Sequence, residues 1–118
     1  MNRADLHVHS NYSNDGELGM VEIVNLCLAN KVDILSITDH NIVRGNSEAT
    51  KLCMDAGIAY IPGIEIDCNH KGTDMHLLAY HIDWESQEIV ELEAKAEQII
   101  MEAVPVMIRN LAKAGIEI

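Results

Sequence analysis

Phenylalanine is absent from this 118-residue chain, and with one tryptophan and three tyrosines the aromatics reach only 3%. Hydrophobic residues still make up 48%, enough for a packed core, so that core is expected to be aliphatic. Basic residues are also scarce: 8 Lys and Arg stand against 19 Asp and Glu, a formal net charge of −11. This balance argues against a broad basic face for nucleic acid or an anionic membrane. Carboxylates bound to cations would offset part of it. No apolar run approaches the ~18 residues of a spanning helix, and no Lys/Arg-flanked apolar segment opens the chain. The three cysteines, Cys27, Cys53 and Cys68, are an odd number without paired spacing, which argues against a disulfide framework. Cys27 and Cys53 fall on apolar helix faces and read as buried free thiols. A single cytoplasmic domain, residues 1–118, with no membrane partner is expected.

What is present is a strand–helix rhythm. Ala4 to Val8 reads as a first strand, with Ala4, Leu6 and Val8 on a buried face. Residues 9–19 form a polar loop, and 20–30 a helix with Val21, Val24, Cys27 and Leu28 inward. Residues 32–38 read as a second strand. Asn46 is expected to cap a helix that ends at Ala56, with Gly57 just past it. Residues 58–61 form a third strand. This βαβαβ order predicts parallel strands with crossover helices. The pattern then changes: 63–68 and 75–81 read as two strands around the turn 69–74. A long helix over 85–114 follows, which Pro105 should kink or split. Gly115 ends it, and 116–118 look like the start of another strand, so the chain reads as a truncated domain.

The chemistry gathers at strand ends, where ligands of α/β folds collect. His7 and His9 in Asp5-Leu6-His7-Val8-His9-Ser10 share one strand face at about 6.6 Å spacing, with Asp5 behind them. Asp15 lies in the following loop. Asp39 and His40 directly follow the second strand, Glu65 follows the third past Pro62-Gly63, and His76 lies on the returning strand. His7, His9, Asp15, His40, Glu65 and His76 thus form a candidate set of four imidazoles and two carboxylates. Such mixed donors suit Zn, Mn or Fe, and their number suits two or three divalent ions. Clustered metals clamp a phosphate and lower the pKa of a bridging water.

Together these segments resemble the N-terminal part of the PHP family, the polymerase-and-histidinol-phosphatase metal hydrolases. Asp5-Leu6-His7-Val8-His9-Ser10 resembles its first motif and Asp15-Gly16 its loop acid. Ile37-Thr38-Asp39-His40-Asn41 resembles the second motif, Pro62-Gly63-Ile64-Glu65 the third, and His76-Leu77-Leu78-Ala79-Tyr80 the histidine strand that follows. Arg109 and Leu111-Ala112-Lys113-Ala114-Gly115 resemble the helix before the next strand. Stand-alone phosphoesterases of the family are the nearer likeness. The resemblance implies a distorted seven-stranded β/α barrel, here partial, with three metals. His7, His9 and Glu65 would share the first, Glu65 would bridge to a second held by His76, and Asp15 and His40 would hold the third. Asn14 stands as an extra residue before Asp15, and Arg44 where the family usually has an acid or small polar residue. The family's later histidine and Asp-x-His pair would lie beyond residue 118.

Blander readings apply elsewhere. Asp39 and Asp5 are expected behind the ligands, orienting a histidine or capping a loop. His70, Asp67, Asp74 and Asp83 read as solvated turn or surface residues, and His81 faces away from His76. Ser10, Ser13 and Thr38 show no Ser-His-Asp order, so no side chain is assigned as nucleophile. The expected function is metal-dependent hydrolysis of a small phosphate ester, of a nucleotide or a sugar. The alternative is a metal-binding or assembly module without turnover. Open strand edges and the apolar long helix suggest a homo-oligomer.

Overall fold

The computed structural model of the chain describes residues 3–118. Strand β1 (Ala4–Val8) leads to helix α1 (Met20–Ala29), β2 (Ile34–Ile37), α2 (Gly45–Ala56) and β3 (Ala59–Tyr60). A hairpin of β4 (Gly63–His70) and β5 (Thr73–Tyr80) precedes helix α3 (Gln87–Lys113). The first three strands form a parallel sheet in the order β1-β2-β3. This is the βαβαβ arrangement expected, and the antiparallel hairpin is also as expected.

The core lies between this sheet and α1 and α2. Met20, Ile23, Val24, Cys27, Leu35, Ile37, Ala49, Cys53 and Ile58 are buried together. It is aliphatic, and Cys27 and Cys53 are free buried thiols. The buried stripe of α1 is rotated from the one expected: Val21 and Leu28 are half exposed, and Met20 and Ile23 take the inward places. Leu6 of β1 is also exposed; β1 is an edge strand, and the Tyr80 hydroxyl donates to the Leu6 carbonyl at 2.8 Å.

Asn46 does not cap α2. It lies inside the helix, 2% exposed. Its Nδ2 donates to the carbonyls of Val43 and Gly63, and its Oδ1 accepts from Gly63 N and the Tyr60 hydroxyl. Four bonds, three of them to the buried Val43 and Gly63, outweigh the one or two a cap would gain. The hairpin is also tighter than expected, with strands running to His70 and Thr73 around Lys71-Gly72. Both turn residues take positive φ, 51° and 82°, the geometry that matches strand twist in two-residue hairpins.

Helix α3 runs unsplit through Pro105. The proline removes one bond to the carbonyl of Met101, an exposed residue, and the flanking helix formers carry the helix across. Residues 116–118 form no strand. Gly115 turns left-handed at φ 81°, and Ile116 N returns to the Leu111 carbonyl at 3.0 Å, closing the helix end. No residue of α3 is buried. Among the described residues no helix is long and apolar enough to cross a membrane.

Candidate metal centre

β4 carries the central group. It begins against β2, and a Cβ at Gly63 would stand 2.5 Å from Ser36 Oγ and 2.8 Å from Thr38 Cγ2. Only glycine permits this approach. Two residues on, Glu65 N donates to the Asp39 carbonyl at 3.2 Å, and Asn41 N donates to the Glu65 carbonyl at 2.8 Å. The chain leaving β2 is thereby zipped to β4, and the Glu65 side chain is buried beneath the ends of β1 and β2.

Four imidazoles surround that carboxylate. His7 Nε2 lies 2.9 Å and His9 Nε2 2.7 Å from Glu65 Oε2. His76 Nδ1 lies 2.9 Å from Oε1, and His40 Nε2 stands 3.6 Å from Oε2. The rings form a row, with centroids 5.1 Å apart for His7–His9, 4.7 Å for His9–His40 and 4.9 Å for His40–His76. Asp15 closes the row: its Oδ2 is 2.8 Å from His9 Nδ1 and 3.4 Å from His40 Nε2. All six residues singled out in the sequence therefore meet, and the extra Asn14 does not turn Asp15 away.

The two residues expected behind them part company. Asp39 is buried and accepts from Ser10 N at 2.6 Å and Ser10 Oγ at 2.7 Å. It ties the loop after β1 to the end of β2. Burial pushes its carboxyl above the usual range, against the two bonds from Ser10. Asp5 is exposed and makes no hydrogen bond to these side chains among the described residues. The β1–β2 register is irregular between Asp5 and Val8. Asp5 lines a hollow together with Val8, His9, Cys27 and Asn30.

Asp67 is the residue the sequence reading missed. Its Oδ1 lies 2.7 Å from His40 Nδ1 and 3.5 Å from His76 Nε2. The signal was available: Glu65 and Asp67 are two apart on one strand, so both point to the same face. Cys68 is half-buried, and its Sγ turns to the Ile66 carbonyl. His81 lies past β5 in a left-handed bend, φ 56°.

The electrostatics bind the cluster together. Burial acts to raise the Glu65 carboxyl, but the bond from His7 and the charge of His40 and His7 hold it below its ordinary value. Burial would lower His9, yet Asp15 and Glu65 together raise it above 6.5. Asp15 is brought down to about 2, against burial, by Ser13, His9 and His40.

The donor set fits divalent transition metals. Metal–ligand bonds of about 2.0–2.1 Å place neighbouring ligand atoms roughly 3.3 Å apart around a tetrahedral ion. The nitrogen–oxygen separations here run from 2.7 Å to 3.6 Å. Three groups have ligand atoms within 4.8 Å of one another: His7, His9 and Glu65; His9, Asp15 and His40; His40, Asp67 and His76. His9 Nε2 is also buried without an aligned hydrogen-bond partner, despite its closeness to Glu65. A buried ring nitrogen in that state has an acceptor or a cation missing.

Residues 5–113 match the PHP domain family. The chain is 34% identical over 113 residues to a 5'-3' exoribonuclease of Haemophilus influenzae, covering 95% of this chain and 40% of that protein. It is 31% identical over 83 residues to a 3',5'-nucleoside bisphosphate phosphatase of Chromobacterium violaceum, covering 70% of this chain and 29% of that protein. The structure of an amidohydrolase from Chromobacterium violaceum, solved with sulfate bound and no metal, has a TM-score of 0.88 at 27% identity, over 98% of this chain and 40% of that one. This chain thus spans less than half the length of each of these proteins. The family match runs from the first histidine strand to the last turn of α3, and on it the chain belongs to the PHP domain family.

Proposed function

We propose that this chain is the metal-holding part of a phosphoric ester hydrolase whose substrate is a small phosphorylated molecule. The observation that carries the reading is one buried carboxylate, Glu65, meeting His7, His9 and His76 at hydrogen-bonding distance. His7, His9 and Glu65 would hold one ion, Glu65 and His76 a second, and Asp15 and His40 a third, with Zn, Mn or Fe suited to these donors. Bound divalent ions supply Lewis acidity toward phosphoryl oxygens and lower the pKa of water.

The chain's own residues do the rest. The Asp39–Ser10 pair holds the two ligand-bearing loops at fixed separation. Glu65, buried, offers both oxygens toward the histidines. A cleft of about 350 Å³ opens beside His40 and Asp67, lined by Asn11, Tyr12, Asn41, Ile100 and others from the loops and α3. It would receive the organic part of the ester among amide, charged and aliphatic side chains. The phosphatase relative favours a nucleotide among such substrates.

A second reading has its own support. The Haemophilus influenzae relative is a 5'-3' exoribonuclease, which makes an RNA end the second candidate for the phosphorylated group. The acidic composition weighs against a long nucleic-acid track, and a terminal nucleotide needs none. Further proposals follow from the same reading. The sheet and hairpin would be the start of a β/α barrel of the PHP type, formed as one domain. The free thiols favour a cytoplasmic setting, and the apolar surface of α3 favours self-association. The alternative is a metal-binding or assembly module without turnover.

Metal analysis together with a screen of phosphate monoesters and 5'-phosphorylated oligoribonucleotides tests these readings, on this chain and on a longer parent. The expected result is at least one transition metal per chain, lost in the His7→Ala, His9→Ala double variant, with ester hydrolysis in the longer protein. An unchanged metal content in the double variant would overturn the ligand assignment. Metal without hydrolysis in the longer protein would leave the assembly module as the better account.

A further inference from the structure

We propose that Asp67 is a positioning residue, which fixes the tautomer of His40 and turns its Nε2 toward Asp15 and Glu65. This rests on the metal reading above and deepens it.

The geometry is built on both sides of the carboxylate. Oδ1 lies 2.7 Å from His40 Nδ1. A carboxylate only accepts, so this contact requires the hydrogen to be on Nδ1. Oδ2 accepts from Asn41 Nδ2 at 2.8 Å, and Asn41 Oδ1 accepts from Asp67 N at 3.0 Å. One side chain therefore grips Asp67 at its backbone and at its carboxylate. Asn41 takes φ 57°, a left-handed conformation that asparagine tolerates better than most residues. That local turn aims its amide back at β4.

The other end of the ring is the consequence. With Nδ1 protonated, neutral His40 presents a bare lone pair at Nε2. Its neighbours there are Asp15 Oδ2 at 3.4 Å and Glu65 Oε2 at 3.6 Å. Both are acceptors, so no hydrogen bond joins them in this tautomer. A lone pair facing two carboxylates is the arrangement a cation fills. Ligating histidines are commonly held in this way, by a carboxylate on the far nitrogen that sets ring orientation and raises basicity.

Asp67 could instead be a ligand itself, beside His76 Nε2 at 3.5 Å. Against this, each of its oxygens already accepts from a fixed donor, His40 on one and Asn41 on the other. Its position suits support of the site from the cleft side.

The test uses the protein loaded with Zn²⁺, in wild-type, Asp67→Asn and Asp67→Ala forms. Ring-nitrogen NMR reads the His40 tautomer, and competition with a chromophoric chelator reads affinity and stoichiometry. The expected wild-type result is a protonated Nδ1 with Nε2 metal-bound. Asp67→Ala should weaken one metal by about 10–100-fold, leave saturating stoichiometry unchanged and release the His40 tautomer. Asp67→Asn keeps an acceptor oxygen and should recover much of both. Loss of one full equivalent at saturation in Asp67→Asn would show a direct ligand and overturn the proposal. Unchanged affinity and tautomer in Asp67→Ala would reduce Asp67 to a surface acid and also overturn it. Absence of metal in the wild type would instead overturn the metal reading on which the proposal stands.

Discussion

The side chain of Asn46 holds Gly63 from both sides, its Oδ1 accepting from Gly63 N at 3.1 Å and its Nδ2 donating to the Gly63 carbonyl at 3.1 Å. This fixes the point at which β4 leaves β2, two residues before Glu65. A residue of the α2 helix thus sets the place of the central carboxylate without touching it. Asn46→Ala would strand the Gly63 amide and carbonyl and the Tyr60 hydroxyl in the interior. Chemical denaturation should register a loss of about 2–4 kcal/mol. A loss below about 0.5 kcal/mol, the usual range of a surface substitution, would show that the clamp is dispensable.

Gly63 offers a second check on the same junction. A methyl group there meets Ser36 Oγ and Thr38 Cγ2 at 2.5 Å and 2.8 Å, too close for real atoms. Ser36 and Thr38 are fully buried and cannot swing into solvent. Gly63→Ala should move β4 outward, weaken metal binding and lower the melting temperature. Pairing it with Ser36→Gly removes the nearer obstacle. Partial recovery in that double variant, followed by thermal scanning with and without chelator, is the expected outcome.

Much of this site was legible because strand periodicity is written locally. His7 and His9 are two residues apart, Asp15 and His40 lie in the loops after the first two strands, and Glu65 and His76 lie on the hairpin strands, so alternation and element order place them. The parts that were not legible depend on partners far away in the chain. Asn46 sits at a helix start, where an amide usually caps, and only its bonds to Tyr60 and Gly63 move it inside. Arg44 pairs with Glu93 of α3 at 2.8 Å, across 49 positions that no local pattern links. The inward stripe of α1 was misplaced because its apolar residues cover most of the circumference, so composition alone leaves the rotation open. Asp67 was overlooked although its alternation with Glu65 was in view.

Metal-free and metal-loaded protein should respond to pH with opposite signs. Asp15 and Glu65 raise the pKa of His9 above 6.5. A raised folded pKa contributes stability that is full below the unfolded value and is lost as pH rises through the folded one. Chelator-treated protein should therefore melt at a lower temperature at pH 8 than at pH 6. Loaded protein should do the reverse, because ligation needs deprotonated imidazoles. On the acid side, the stabilisation from Asp15, whose pKa is lowered from 3.8 to about 2, should be full above 3.8 and be lost progressively as pH falls from there toward about 2. Thermal scans from pH 3 to 8 measure all of this. A metal-free protein that gains stability from pH 6 to 8 would contradict the His9 assignment.

The cysteines should separate by burial. Burial pushes the Cys53 thiol up to about 11 and raises that of Cys27. Both are closed off in the core, so neither offers thiolate to a reagent at pH 8. Cys68 is half-buried on the hairpin. A disulfide reagent should label one thiol in the native protein and three after denaturation. Rapid native labelling of two or more would mean that the core between α1 and α2 opens readily.

Self-association through α3 is the remaining expectation. The helix buries no residue, and Ile99, Ile100, Met101 and Met107 are each more than half exposed. Its Glu93 holds Val43 N at 2.9 Å and Arg44 at 2.8 Å, which anchors the N-terminal half and leaves the remainder projecting. The long dimension of the molecule, 54 Å against 30 Å and 24 Å, reflects that projection. An apolar helix surface of this kind gains by burial against another, at about 25 cal/mol per Å² removed from water. At micromolar concentration the 118-residue chain is expected to sediment above its 13.1 kDa mass. Ile100→Glu with Met107→Glu should return it to the monomer without changing the metal content, since neither residue belongs to the histidine cluster. A clean monomer in the unmodified chain, with a melt independent of concentration, would rule out the second copy as the partner of α3.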